Sequence, residues 1–321
     1  INTWIGADVK SEGKITVPAR QLTEFVTSIP SDTIDASSDN QTFNISTTNN
    51  SASFNTIAAD EFPSVTTITD QKPIVKILKE DLIKAVDRVA FASATDDIKP
   101  VLTGVLLEIS GESISFVGTD GLRLSRQIVK LNSSSTKEVN ILVPVKALFE
   151  LSHIVSEIDS DENIEMYFIE DKNQVLFRYG DVDLVSRLID GQFPEYRQII
   201  PTGYKTLCNI SKIDFLNSLK VTNIIAKSVL GNKIILDIDP KAGKITMSAT
   251  QTDLGSNKSV FEGKIEGDAL RIAFSSRLLA DILNHIDSDD ITFECSETIK
   301  PGVFKIVDDP DFVHLVMPMM L

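Results

Sequence analysis

Cysteine is nearly absent: Cys208 and Cys295 are the only two in 321 residues. That excludes a disulfide framework and fits a reducing cytosol. Histidine is almost as scarce. His153, His285 and His314 are scattered, and neither cysteine has a partner at CxxC or HxxxH spacing, so no zinc or other metal site is expected. No run of about 18 apolar residues occurs, which leaves no candidate for a helical membrane span. The first residues do not follow the charged, apolar, small-residue order of a signal peptide, and a cytoplasmic protein is expected. A phosphate-cradling G-x-x-x-x-G-K-[ST] loop, a G-x-S-x-G elbow and an HExxH pair are all missing. Basic residues are outnumbered, 31 Lys and Arg against 46 Asp and Glu, for a net charge of −15. Taken alone, that balance argues against nucleic acid as a partner, because neutralising phosphates needs clustered Lys and Arg.

What the chain does contain is repetition. Val17-Pro18-Ala19-Arg20, Val143-Pro144-Val145-Lys146 and Phe274-Ser275-Ser276-Arg277 each place a basic residue two positions after Pro18, Pro144 or Ser275. Each is followed by apolar residues at helical spacing: Leu22, Phe25, Ile29; Leu148, Leu151, Val155; Leu279, Ile282, Ile286. The copies start roughly 130 residues apart, too far for a solenoid unit and right for whole domains. After each helix come two strand-like runs around a turn: Phe43 to Thr47 and Ser53 to Ile57, Ile164 to Ile169 and Gln174 to Tyr179, Ile291 to Cys295 and Val303 to Val307. Ala59-Asp60-Glu61-Phe62-Pro63 and Asp190-Gly191-Gln192-Phe193-Pro194 close the first two copies, Pro stopping the strand.

A different half-unit precedes the repeated helix in copies two and three. Glu80 to Ala92 and Ile213 to Ala226 read as amphipathic helices, each followed by two strands and a turn, Thr119-Asp120-Gly121 or Thr252-Asp253, into a third. The chain begins at Ile1-Asn2-Thr3-Trp4, inside what reads as that third strand of copy one. The expectation is an N-terminally truncated first domain, with domains at 1–72, 73–201 and 202–321.

Four segments together resemble one family, the bacterial sliding clamp or beta subunit of DNA polymerase III. They are Thr16-Val17-Pro18-Ala19-Arg20; Thr119-Asp120-Gly121-Leu122-Arg123-Leu124; Leu188-Ile189-Asp190-Gly191-Gln192-Phe193-Pro194-Glu195-Tyr196-Arg197; and Val316-Met317-Pro318-Met319-Met320-Leu321. The resemblance implies an α+β fold of three similar DNA-clamp domains, each with two helices packed on antiparallel sheets, in a half-ring protomer. Two protomers would join head to tail as a homodimer around double-stranded DNA. The chain would then be a non-catalytic processivity factor associated with DNA-directed DNA polymerase (transferase) activity, with no cofactor. Its partners would be the polymerase III catalytic subunit, the clamp loader and other proteins with a clamp-binding motif.

A ring answers the charge objection, because it needs only a basic inner face. Arg20, Lys84, Arg88, Lys146, Lys220, Lys227 and Arg277 lie on the polar sides of the helices and are the expected DNA contacts, sequence-independent and weakened by salt. Read without the repeat, the same residues are ordinary solvated helix faces.

The family's partner-peptide cleft carries over to Leu102, Thr119, Gly121, Leu122, Arg123, Leu124, Pro194, Gln198, Ile199, Ser275, Leu278, Leu315, Val316, Met317, Pro318, Met319, Met320 and Leu321. Leu122 stands where the family often has His, Met320 and Gln198 where it has Arg, and Leu278 where an aromatic is frequent. The implied pocket is less polar, so its ligands should rely on Leu and Phe side chains. Taken alone, Thr119-Asp120-Gly121 is a plain turn. The methionine-rich tail reads equally as an adaptable binding surface or as a final edge strand on the domain-three sheet. Two other readings stay open. Acidic pairs such as Asp96-Asp97, Asp289-Asp290 and Asp308-Asp309 could hold Mg²⁺ in a nucleotidyl transferase, although solvated loop charge explains them, and the repeats could belong to a β-rich structural or adhesive protein.

Overall fold

A computed structural model describes residues 1–321 except 31–32, 40, 58, 63–65 and 69–70. Pro63 of the first Phe-Pro site lies outside the described residues. Strand β1 (Asn2–Thr3) belongs with Gln71–Leu321 in one compact unit, and Trp4–Asp70 forms another. The smaller unit holds helix α1 (Ala19–Ser28) and a three-stranded antiparallel sheet of β2 (Asp35–Ser38), β3 (Thr42–Ser46) and β4 (Ser51–Asn55). The sequence reading anticipates β3 and β4 but not β2, whose Asp-Ala-Ser-Ser composition carries no strand signal. Phe25 of α1 meets Phe54 of β4 edge to face with ring centroids 6.0 Å apart, and Ile45 is the one buried hydrophobic among the described residues of this unit.

The larger unit runs β5 (Val75–Ile77), α2 (Lys79–Ala90), β6 (Gly104–Ser110), β7 (Ser113–Thr119), β8 (Arg123–Lys130), β9 (Val139–Pro144), α3 (Val145–Glu157), β10 (Ile164–Ile169), β11 (Gln174–Tyr179) and β12 (Val182–Arg187). The same order then repeats with one added strand: β13 (Thr206–Ser211), α4 (Lys212–Ala226), β14 (Lys233–Asp239), β15 (Lys244–Gln251), β16 (Gly255–Glu262), β17 (Lys264–Gly267), β18 (Leu270–Ser275), α5 (Ser276–Asn284), β19 (Asp290–Cys295), β20 (Gly302–Ile306) and β21 (Asp309–Val316). Just before β6, Val101 to Thr103 form a short 3₁₀ turn led by Pro100.

Amphipathic spacing explains the packing. Leu82, Val86 and Val89 of α2 and Leu148, Leu151 and Val155 of α3 meet Leu107, Phe116, Met166 and Phe177 from the sheets in one core. Phe215 and Leu219 of α4 and Leu279, Ile282 and Leu283 of α5 repeat the arrangement against Ile234, Met247, Phe293 and Phe304. Cys208 and Cys295 are free thiols in this second core, and burial pushes the Cys208 thiol up to about 12.

One pairing rule recurs. The last strand of copy three, β21, pairs antiparallel with the third strand of copy two, β8, with Leu315 opposite Leu124 and Val316 opposite Arg123. The last strand of copy two, β12, pairs in the same sense with β1, Asn2 opposite Asp183. Through the first seam a nine-stranded sheet runs β17-β13-β19-β20-β21-β8-β7-β6-β9. The alternative of a final edge strand is therefore wrong for Leu315 and Val316: β21 lies inside the sheet, bonded on both sides.

A candidate partner-binding cleft and nucleic-acid face

Thr119, Gly121, Leu122 and Arg123, carried over for the cleft, lie beside the β8–β21 seam. Thr119 ends β7, and its hydroxyl donates to the Arg123 carbonyl at 2.5 Å and accepts from the Gly121 amide at 3.1 Å. Asp120 Oδ1 accepts the amides of Leu122 (2.9 Å) and Arg123 (3.0 Å), an Asx turn that closes because Gly121 adopts φ +91°. The turn leaves Leu122 57% exposed.

The tail is tied to both copies. Met317 N–H donates to the Leu122 carbonyl at 2.8 Å, Met319 N–H to the Ala273 carbonyl at 2.8 Å, and Lys233 Nζ to the Met320 carbonyl at 3.4 Å. Leu315 and Val316 are buried within the seam, whereas Met320 is 91% exposed and Met317 and Leu321 are also in contact with solvent. Pro318 is half-buried. Leu122 is thus joined through the backbone to the start of a tail that carries exposed apolar side chains. Leu102 and Leu124 are buried, Ser275 is half-buried, and Gln198 and Ile199 are exposed on the linker after β12.

One carried-over residue needs correcting, and two others have surroundings of their own. Leu278 does not offer a side chain to the surface: it is 4% exposed and packs in the domain-three core. Pro194 lines a groove of about 450 Å³, with Leu106, Glu108, Phe168 and Phe193. Arg123 is not a free donor, since its Nε bonds Asp120 at 3.0 Å and its Nη1 bonds Asp281 at 2.5 Å. The sequence reading also misses Leu230, 94% exposed beside Gly231. A Cβ on Gly231 would lie 2.5 Å from Met319 Cε, so the absent side chain makes room for the tail. An aliphatic residue next to a glycine in a polar loop, Ser228-Val229-Leu230-Gly231-Asn232, was the available signal.

The linker is held by Tyr196, whose hydroxyl donates to Glu108 at 2.5 Å while Arg197 reaches the same oxygen at 2.8 Å. Burial, then the Glu108 hydrogen bond, raise the Tyr196 phenol to about 12, so it stays a donor. Phe193 and Tyr196 cover Val117, Leu124, Val303, Val313 and Leu315 on the seam.

The basic residues separate into two groups. Lys146, Lys220, Lys227 and Arg277 are exposed and make no ion pair among the described residues. Arg20 is exposed too, with Glu24 at 2.8 Å. Arg20, Lys146 and Arg277 each occupy the second position of their helix. A cation there opposes the helix dipole, so helix stability does not explain it. Arg88 belongs elsewhere: only 3% exposed, it donates to Gln127 at 3.0 Å, to Asp309 at 2.6 Å and to Asp287. Its position beside Ala85 and Val89 turns it toward β8 and copy three, so it is withdrawn from the DNA-facing set. Lys84, partly exposed, is bound to Asp309 at 2.7 Å. Asp309 is therefore an ion-pair partner and not solvated loop charge.

These pairs shift the carboxyls. Burial pushes Asp309 up, but hydrogen bonds from Lys84 and Arg88 outweigh it and hold the group below the ordinary carboxylate value. Asp287 behaves alike through Arg88. His314 is wholly buried on β21, its Nδ1 2.5 Å from Ser125 Oγ of β8, and burial, with Arg123 nearby, holds its pKa well below the usual value.

Models of the DNA polymerase III beta subunit match the chain in three pieces: the N-terminal domain over residues 1–66, the central domain over 76–195 and the C-terminal domain over 197–320. The beta sliding clamp of Synechococcus elongatus is 31% identical over 325 residues, spanning 100% of this chain and 85% of that protein. The chain belongs to the beta sliding clamp family. The clamp of Staphylococcus epidermidis is 29% identical over 317 residues, covering 97% of this chain and 81% of its own length. Among solved structures, the Bacillus subtilis DNA polymerase sliding clamp superposes with a TM-score of 0.91 at 26% identity, over 98% of this chain and 82% of that one. The Thermotoga maritima beta subunit, at 24% identity and a TM-score of 0.91, supports the fold. The clamp fold of three similar α+β domains is thus established, and the chain is a DNA-replication clamp subunit rather than an enzyme. The transferase and adhesin readings find no support.

Proposed function

We propose that this chain is one protomer of a head-to-tail dimeric ring that encircles duplex DNA, slides without reading sequence, and tethers polymerase, clamp loader and other clamp-binding proteins through the seam between domains two and three. The domains are taken as 1–72, 73–201 and 202–321. One observation carries the reading: among the described residues the pairing rule leaves two strands unused. β16 holds in copy three the place that β8 holds in copy two, yet it is the edge of its sheet; β4 holds in copy one the place of β12 and β21, and is also an edge. A second chain's β4 on β16 would continue the rule head to tail, and two such contacts close a ring. Exposed Leu254 and Val260 at β16, with Val221 and Ile224 on α4, give that edge an apolar rim.

Arg20, Lys146, Lys220, Lys227 and Arg277 are the proposed phosphate contacts, with Lys84 in a lesser part, in keeping with action in the cytosol. The remaining acidic surface discourages DNA from binding elsewhere. The apolar surface around Leu122 and the tail is the proposed docking site, for peptides anchored by Leu and Phe. The test loads the protein onto nicked circular DNA with a clamp loader, alongside size-exclusion with light scattering. Retention on circles and escape after linearisation support a ring; equal escape from both overturns it. Peptides lacking either anchor should bind more weakly than peptides lacking a charged residue.

A further inference from the structure

Arg123 lies between the Thr119–Arg123 turn and α5, at the proposed cleft. Its side chain is 10% exposed. Asp120 Oδ2 holds Nε at 3.0 Å on the turn, and Asp281 Oδ2 holds Nη1 at 2.5 Å from α5. The guanidinium stands 5.3 Å over the Phe91 ring, which stacks at 4.1 Å on His285, and the His285 Nδ1 is 2.8 Å from the Asp281 carbonyl. The turn anchored by Asp120 carries the Leu122 carbonyl to which Met317 bonds. One planar, five-donor group therefore bridges the turn of copy two and the helix of copy three, and the tail hangs from that turn.

We infer that Arg123 is a positioning residue. It fixes the distance between the Leu122 wall and the α5 and tail wall, and it does not itself contact the docked peptide. The inference rests on the cleft reading above. Two aspartates already take up its charge, so a ligand carboxylate would have to displace one of them. The consequence reaches beyond the apolar surface: Asp281, which carries no apolar contact for a peptide, should govern affinity as strongly as Arg123.

The test is a double-substitution cycle on the full chain, read by fluorescence anisotropy of a short labelled peptide with Leu and Phe anchors. Arg123→Met and Asp281→Asn should each weaken binding about tenfold, the scale of coupling between contacting residues, and the double variant should bind no worse than either alone. Thermal unfolding and hydrogen exchange of the 119–123 turn establish that each variant is folded. If Asp281→Asn binds as tightly as the unaltered chain or tighter while Arg123→Met is weak, Arg123 is a ligand contact and the inference fails. Additive losses in the double variant overturn it as well. Leu122→Asp separates the two readings: it should abolish binding, and if it does not, nothing docks at this seam and both the cleft and the positioning role fall.

Discussion

β8 and β16 hold the same place in their copies, and their surroundings differ. β8 sits inside a nine-stranded sheet, with Leu124, Ser125, Gln127 and Val129 buried; β16 ends a four-stranded sheet, and of its eight residues only Phe261 is buried. Each is packed on one face by a helix, α2 or α4. The difference comes from what pairs along the outer edge: β21 covers β8, and no strand in the described residues covers β16. A repeated unit thus defines a repeated need for a neighbour, and the seam within the chain shows what a satisfied edge looks like.

Breaking the satisfied edge should have the largest effect. Arg88→Met leaves Gln127 Oε1 without its donor and Asp309 with Lys84 alone, and should cost about 3 kcal/mol in urea unfolding, the low end for opening a buried ion pair because Lys84 still pairs Asp309 and Asp287 can rehydrate. A loss below about 0.5 kcal/mol would show that the seam holds without it. At the open edge the expectation is reversed. Val260→Asp with Ile224→Asp should raise the dimer dissociation constant about a hundredfold by light scattering while leaving protomer unfolding almost unchanged. Equal unfolding losses at both edges would erase the contrast.

Acid sharpens it further. Buried His314 at the seam stays neutral when the unfolded chain binds a proton below about pH 6.5, so seam stability should fall by up to about 1.4 kcal/mol per unit as pH drops below that value, until the folded group itself protonates. Asp309 and Asp287, with lowered pKa values, contribute stability above their unfolded pKa and lose it only in stronger acid, as pH falls through their folded values. Hydrogen exchange on β8 and β21 amides should record both losses; β16 amides, which belong to a different sheet, should show neither. The smallest effect is electrostatic. Lys146→Ala, Lys220→Ala or Arg277→Ala should each lower the slope of log affinity for DNA against log salt by about 1, and Arg88→Met should leave it unchanged. An Arg88 slope change equal to that of Lys146 would return Arg88 to the DNA-facing set.

Much of this was legible beforehand because it is local. The three repeated helices, the paired half-units and their hairpins are written in spacing, and the structure displaces most ends by one to three residues. Arg88 was misread for a local reason too. Lys84 and Arg88 share one side of α2 in the periodic pattern, and only the approach of Asp309, more than two hundred positions away, turns one of them inward. Leu278 was carried over as a surface residue because its position matched a motif, while the packing of α5 decided its direction. The tail was ambiguous because two of its residues complete a strand and five do not.

By itself the sequence determined that one domain type occurs three times, that each copy needs its helices on a sheet, and that acid dominates except at one helical position. These are properties of neighbours within a few residues, where rise per residue and side-chain direction leave little choice. Tertiary structure alone decided that β21 closes on β8, that Arg88 and Arg123 each reach an aspartate of another copy, and that β16 is left as an edge among the described residues. Pairing between strands nearly two hundred residues apart depends on how whole copies meet, and no local pattern encodes that meeting.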